Sequence, residues 1–112
     1  MNSFEEERQK LILKKLVSNA RAIISNQIGF SAGCLKMSKI LSWLKPYKVI
    51  EIQVFDAFFS ETIAIPIGTE RLHCSREAIK LYDEKLIPIE ISYREKVIDA
   101  CFEIIKNYGE KN

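Results

Sequence analysis

Residues 20–44 read ARAIISNQIGFSAGCLKMSKILSWL, and this is the most clearly patterned segment of the chain. Apolar residues recur in it at intervals of three and four, which places them on one face of an α-helix. Gly29 lies between two such runs, and glycine can close a helix with a positive φ. Ser31 is a residue type that caps the start of a helix. The segment therefore predicts two helices joined by a short corner and packed antiparallel.

The first of these helices extends back to the N-terminus. Ser3-Phe4-Glu5-Glu6 has the spacing of a capping box, in which Ser3 caps and Glu6 reaches back. We predict the first helix from about Phe4 to Asn26. The second runs from about Ser31 to Leu44 and ends before Pro46. Their predicted inward residues are Leu13, Leu16, Val17, Ala20, Ile23 and Ile24, followed by Cys34, Met37, Leu41 and Leu44.

Residues 47–65, YKVIEIQVFDAFFSETIAI, fit two patterns. Ile50, Ile52 and Val54 alternate with polar residues, as they would in a half-buried strand. The helical alternative places Ile52, Phe55, Phe59 and Ile63 on one face. The helical pattern is the longer one and contains no turn residue. We therefore predict a third helix here, in preference to the strand.

The C-terminal third begins with a predicted loop over residues 64–74, which Pro66 and Gly68 interrupt. Ser75 is the predicted N-cap of the next helix, and Gly109 is its predicted stop. Pro88 either lies in the first turn of a separate helix or kinks one long helix. The predicted inward residues are Ile87, Ile91, Arg94, Ile98, Cys101, Ile105 and Tyr108, with Val97 and Ile104 beside them.

Length and composition favour one domain. The chain has 112 residues, of which 47% are hydrophobic, enough for one core. It has no apolar run of the roughly 20 residues that a transmembrane helix needs. Its first residues are acidic, unlike a signal peptide. We expect an all-α, single-domain antiparallel helical bundle of four to five helices over residues 1–112, located in the cytoplasm and away from membranes.

Three cysteines and one histidine are the residues that suggest chemistry. Cys34, Cys74 and Cys101 lack paired spacing, which indicates free thiols, two of them on apolar helical faces. His73 stands beside Cys74, but neighbouring loop side chains commonly point apart, and no further ligands are spaced for zinc. The four glycines form no phosphate-binding motif. The sequence therefore predicts no catalytic residue, no cofactor and no metal site.

Charge is unevenly distributed along the chain. Residues 1–50 contain nine Lys or Arg against three acidic residues, whereas residues 51–112 contain eight against twelve. Mutual neutralisation of the two halves is the favoured interpretation. A nucleic-acid-associated or regulatory protein using the basic N-terminal half is the alternative. Its lysines alternate with few aromatic residues apart from Trp43 and Tyr47, and no recognised motif is present, so nucleic acid is the less favoured partner.

Acidic side chains in the C-terminal half form two groups. Glu95, Asp99 and Glu103 lie four residues apart, where like charges repel and call for a compensating positive surface. The second group surrounds the predicted loop and includes a tyrosine, a residue enriched in protein interfaces. We predict that a protein partner binds this second group, which consists of Glu61, Glu70, Tyr82, Asp83 and Glu84.

Three segments carry a resemblance to a family: ARAIISNQIGFSAGC, PIGTERL and YREKVIDACFEII, at residues 20–34, 66–72 and 93–105. They resemble a family of small bacterial helical proteins that are similar to immunity proteins of the contact-dependent inhibition type. The resemblance extends from about Ala20 to Tyr108. It implies a helical bundle that neutralises a cognate toxin by binding it. Immunity proteins against basic nuclease toxins are commonly acidic, whereas this chain has a net charge of +2, so the toxin class stays open or the acidic half makes the contact.

Overall fold

The computed structural model describes residues 2–109, without the side-chain environments of residues 68 and 69. The helices are α1 (Ser3–Ile24), α2 (Phe30–Leu44), α3 (Val54–Thr62) and α4 (Arg76–Tyr108), with a 3₁₀ helix at Gly68–His73. The all-α prediction is confirmed. No strand forms within residues 2–109. None of the helices in this part of the chain combines the length and the apolar composition needed to cross a bilayer.

The first helix is capped by Asn2. Its side chain accepts a hydrogen bond from the backbone N–H of Glu5 at 2.9 Å. The predicted cap at Ser3 is therefore wrong, since Ser3 already lies within α1. Asparagine and serine are equally good N-caps, so composition alone could not choose between neighbouring positions.

The corner between α1 and α2 is a Schellman motif. The N–H of Gln27 donates to the carbonyl of Ala22 at 2.9 Å, and the N–H of Asn26 donates to Ile23 at 3.3 Å. Asn26 takes the positive φ of 59°, whereas Gly29 has a φ of −58°. The predicted left-handed glycine is therefore wrong. Helix α1 ends at Ile24, earlier than predicted, which puts Asn26 at the left-handed position that asparagine tolerates.

Helix α2 begins at Phe30 after Gly29, which provides no side-chain cap. The predicted capping role of Ser31 is wrong. Its hydroxyl instead donates to Oε2 of Glu90 at 2.8 Å and so links α2 to α4. The predicted end at Leu44 is confirmed.

The core lies where the four helices meet. Helix α1 packs against both α2 and α4, and α3 packs against the same two helices. The fully buried apolar residues of the core are Leu16, Ala20, Cys34, Met37, Ile40, Leu44, Phe55, Phe58, Val97, Cys101 and Ile104. Gly33 allows α1 and α2 to approach closely, because a Cβ at this position would lie 2.5 Å from Cγ1 of Ile23.

Helix α3 covers only residues 54–62 of the predicted stretch 47–65, and of the predicted inward residues only Phe55 is buried. It buries Phe55, Phe58 and Thr62, whereas Phe59 and Ile63 are exposed. The ring of Phe58 makes edge-to-face contacts with Phe30 of α2 and Tyr93 of α4, at centroid distances of 5.7 and 5.6 Å. These tertiary contacts favour the burial of Phe58 over that of Phe59. A nine-residue helix is too short for hydrophobic periodicity to distinguish the two positions.

Helix α4 is one continuous helix of 33 residues that contains Pro88. At about 1.5 Å per residue it is roughly 50 Å long, which matches the longest dimension of the molecule, 51 Å. Its predicted cap is confirmed, since Ser75 accepts from the N–H of Ala78 at 3.1 Å. The predicted end at Gly109 is also confirmed.

The inward face of α4 differs from the predicted one in its first half. Ile87, Ile91 and Arg94 are exposed, and the buried residues are Leu86, Val97, Cys101 and Ile104. Residues 76–85 contribute no buried side chain at all. The first part of α4 therefore has too little protein packed around it to cover every apolar side chain that it carries.

Candidate interaction surfaces

The five residues predicted to bind a partner lie on three elements. Glu61 is on α3, Glu70 is in the 3₁₀ helix, and Tyr82, Asp83 and Glu84 are on α4. The three glutamates are exposed, whereas Tyr82 is half-buried and packs against the core. Hydrogen bonding to Glu61, followed by partial burial, raises the pKa of Tyr93 above its ordinary value. Glu61 therefore already has a neighbour across the α3–α4 contact.

Asp83 is paired with a basic side chain. Nη2 of Arg71 lies 2.9 Å from Oδ1 of Asp83, which joins the 3₁₀ helix to α4. Within residues 68–89, four acidic residues are balanced by four Lys or Arg. This surface therefore has mixed charge, and the acidic excess suggested by the sequence is offset by neighbouring cations.

The two halves of the chain do not neutralise each other by direct ion pairing. Among residues 2–109, Arg71–Asp83 is the one ion pair within 4 Å, and both of its members lie in the C-terminal half. The row Glu95, Asp99 and Glu103 is exposed, without a cation of α1 at that distance. Among the described residues, this acidic row therefore forms no ion pair with the basic side chains of α1.

Exposed apolar side chains are most frequent in the part of the sequence between α3 and the first half of α4. Of the eleven large hydrophobic residues exposed in the described chain, six lie between residues 59 and 91. Glu84, Ile87 and Ile91 are spaced at three and four residues and share one side of the helix, which we call the α4 face. Ile87 and Ile91 are 51% and 68% exposed. Leu72 and Leu81 are exposed in the same part of the chain.

A second surface is the groove between α1 and α2. Two adjoining hollows lie along these helices and share Leu11, Lys15 and Trp43, and we call the two together the α1–α2 groove. Buried Ile12 and Ile40 lie at its base. Leu11 and Trp43 remain 60% and 48% exposed. Apolar side chains along an open groove are a common feature of sites that receive a partner helix.

The α1–α2 groove is lined by charge of one sign. Its cations are Arg8, Lys14, Lys15 and Lys36, all exposed, and no Asp or Glu of the described chain lines it. Nζ of Lys15 lies 5.8 Å from the centroid of the Trp43 ring, within the range of a cation–π interaction. The groove therefore combines an apolar base with a positive rim.

Asn19 is a buried polar residue in the wall of this groove. Its Nδ2 donates to the carbonyl of Gly33 at 3.0 Å, which connects α1 to α2 by a side-chain hydrogen bond. Its Oδ1 has no hydrogen-bond partner in the described chain. An unpaired buried oxygen costs folding free energy, so the Oδ1 atom of Asn19 is an unfavourable feature of the groove wall.

The α1–α2 groove was not identified from the sequence, although two signals in the sequence indicate it. Trp43 is the only tryptophan, and it stands among lysines. Phe4 and Leu11 are apolar residues seven positions apart on the side of α1 opposite the predicted inward face, and Leu11 lines the groove. Phe4 and Leu11 are indeed exposed. An apolar residue on a predicted outer face is the observation that would have pointed to this surface.

The three cysteines are free, as predicted. Cys34 and Cys101 are buried in the core, whereas Cys74 is half-buried at the end of the 3₁₀ helix. Burial, then the neighbouring Cys101 and Glu90, raise the pKa of Cys34 to about 12. Burial raises the pKa of Cys101 to about 11. Both core thiols therefore stay protonated at neutral pH.

Alkylation of the native protein near pH 8 is expected to modify Cys74 much faster than Cys34 and Cys101, because the thiolate is the reactive form. Mass spectrometry of timed samples measures the rates, and the urea-unfolded protein should react at all three positions.

The folded pKa values of Cys34 and Cys101 exceed the ordinary value of 9.0. The stability that these thiols contribute should therefore be complete below pH 9 and decline as pH rises toward 11–12. Equal rates of alkylation at the three cysteines of the folded protein would contradict the assignment of Cys34 and Cys101 as buried, protonated thiols.

No group of three or more His, Cys, Asp or Glu side chains in the described chain could hold a metal ion. Comparisons with known protein families, with curated proteins and with solved structures give no match. The α4 face and the α1–α2 groove are therefore interpreted from their own chemistry.

Proposed function

We propose that this chain is a non-catalytic protein-binding domain that neutralises a cognate bacterial toxin by direct contact, as an immunity protein does. The observation that carries the proposal is the row of exposed side chains on the α4 face, where acidic Glu84 precedes Ile87 and Ile91. The resemblance of residues 20–34, 66–72 and 93–105 to immunity-like proteins provides the class of partner.

The α4 face has the two components that tight neutralising pairs commonly use. Ile87 and Ile91 provide apolar surface that a partner can bury, which mainly slows dissociation. Glu84 provides an exposed charge that can speed the approach of a basic toxin surface. Tyr82 and Asp83 lie closer to the core and to Arg71. We therefore place the centre of the contact on Glu84, Ile87 and Ile91.

The proposal is tested by protection of cells against the toxin domain encoded beside the gene for this chain, together with the kinetics of the purified pair. Glu84→Lys should slow association, most strongly at low salt, whereas Ile87→Ser should speed dissociation. Glu103→Lys is the matched control, because Glu103 is an exposed glutamate of the same helix on a different side from the α4 face.

Loss of protection with the α4 variants, but not with the control, would support the proposal. If both α4 variants protect as well as the wild type, and reversal of Lys10, Lys14 and Lys15 abolishes protection, the α4 face is the wrong surface. If no toxin encoded beside this gene binds the chain, the immunity function itself is wrong.

A further inference from the structure

We infer that the α1–α2 groove is a second, separate binding site, and that it receives an acidic amphipathic helix from a protein partner. This inference does not depend on the toxin proposal, which concerns the α4 face. Four observations carry it: the apolar base, the positive rim, the length of the groove, and the position of Lys15 against Trp43.

The apolar component comes from side chains that the fold leaves uncovered. Leu11 is 60% exposed and Trp43 is 48% exposed, and they stand on opposite walls of one groove above buried Ile12 and Ile40. A helix laid along the groove would bury both side chains between its own apolar residues. Large aromatic and aliphatic anchors of this kind provide most of the affinity in helix-in-groove complexes.

The positive charge of the groove indicates that the partner is acidic. Arg8, Lys14, Lys15 and Lys36 surround the apolar base without a carboxylate among the described residues that line the groove. Glutamate and aspartate beside the apolar stripe of a bound helix would complement all four cations. A partner with a basic or neutral flank would leave this positive rim uncompensated.

The length of the groove agrees with a bound helix of several turns. From Arg8 to Ala22 the α1 wall covers 14 residue steps, or roughly 20 Å at about 1.5 Å per step. That length accommodates a helix of about 14 residues, long enough to present apolar residues at i, i+3 or i+4, i+7 and i+10 or i+11.

Two other occupants fit less well. A second copy bound through a two-fold axis on the groove would place this positive rim against an identical positive rim. Nucleic acid would use exposed aromatic faces for base stacking. The groove has one exposed aromatic ring, that of Trp43, beside the half-buried Tyr47, and the Lys15 ammonium lies 5.8 Å from the centroid of the Trp43 ring.

The experiment uses Trp43 as its reporter, because it is the only tryptophan of the chain and lies in the groove. The probes are three helical peptides of about 14 residues with one leucine pattern, in which the polar positions are all Glu, all Gln or all Lys. A single-stranded thymidine oligonucleotide of similar length is the fourth probe. Titration is followed by Trp43 emission and by calorimetry.

We expect the Glu peptide to shift Trp43 emission to shorter wavelength and to saturate, with the Gln peptide weaker and the Lys peptide silent. Lys14→Glu/Lys36→Glu should weaken binding of the Glu peptide tenfold or more, and added salt should reduce this difference. Leu11→Ala should weaken it without changing the salt dependence. Lys10→Glu/Lys39→Glu is the matched control, since both lysines are exposed on the same two helices outside the groove.

Several results would overturn the inference. One is the absence of any saturable change with the Glu peptide, and another is equal weakening by the control pair, which would indicate non-specific charge. Tighter binding of the oligonucleotide than of the Glu peptide would assign the groove to nucleic acid. A concentration-dependent dimer that Leu11→Ala dissociates would assign it to a second copy. Far-UV circular dichroism of each variant verifies the fold, and the altered side chains are all exposed.

Discussion

Phe58→Ala is expected to lower the free energy of unfolding by about 3–5 kcal/mol. Phe58 is fully buried in α3, and its ring contacts Phe30 from α2 and Tyr93 from α4. Truncation would remove apolar burial, both edge-to-face contacts and the packing of three helices around one point. Urea denaturation followed by far-UV circular dichroism measures the change.

Phe59→Ala is the matched control, because it removes the same side chain from the next position of the same helix. Phe59 is 43% exposed, so its truncation should cost less than about 1 kcal/mol. A larger loss at Phe59 than at Phe58 would mean that α3 is rotated and that the face suggested by periodicity is the buried one. The pair therefore tests the orientation of α3 independently of its helicity.

Helices with several apolar repeats could be predicted from the sequence almost to their ends. The end of α2 at Leu44 and the start of α4 after Ser75 follow from Pro46 and from the serine cap, which are local signals. The start of α1 and the corner depended on choices between neighbouring polar residues: Asn2 or Ser3, and Asn26 or Gly29. Such residues have similar capping energies, so the tertiary placement of each helix decides between them.

The inward faces of α3 and of the first half of α4 were harder to predict. Helical periodicity identifies a face only when the apolar residues outline one stripe, and Phe55, Phe58, Phe59 and Ile63 outline two overlapping stripes. In α4, Ile87 and Ile91 continue an apolar stripe beyond the region where other helices cover it. The helical periodicity of these apolar residues was recognised correctly. Their burial depends on neighbouring helices, which the periodicity of one helix does not reveal.

The predicted partner-binding residues were selected by sign of charge and proximity to a loop. The structure keeps Glu61, Glu70 and Glu84 exposed but pairs Asp83 with Arg71 and packs Tyr82 against the core. The α1–α2 groove depends on two helices that place Leu11 and Trp43 on facing walls, a relation between residues 32 positions apart. Sequence composition shows that both residues are apolar, and only the packing of α1 on α2 shows that they face one groove.

Gly33→Leu is expected to lower the free energy of unfolding by about 2–3 kcal/mol through overpacking between α1 and α2. A Cβ at Gly33 would lie 2.5 Å from Cγ1 of Ile23 and 3.1 Å from Cγ2 of Ile28. Ile23 is buried, so it has little room to move aside. Leucine has a better helix propensity than glycine by about 1 kcal/mol, which offsets part of the cost. The displacement should also disturb the 3.0 Å hydrogen bond from Asn19 to the carbonyl of residue 33.

Gly29→Ser is the control for the loss of glycine itself. Nothing lies within 4 Å of a Cβ at Gly29, its φ is −58°, and serine is a favourable residue at this N-cap. We expect the change in free energy of unfolding to stay within about 0.5 kcal/mol. Because Gly33 determines how closely α1 and α2 approach, Gly33→Leu should also shift the native emission of Trp43 in the groove between them, which Gly29→Ser should leave unchanged. Unaltered stability and emission in Gly33→Leu would mean that the two helices are not held at this close spacing, and the α1–α2 groove would then lack the rigid walls that binding a helix requires.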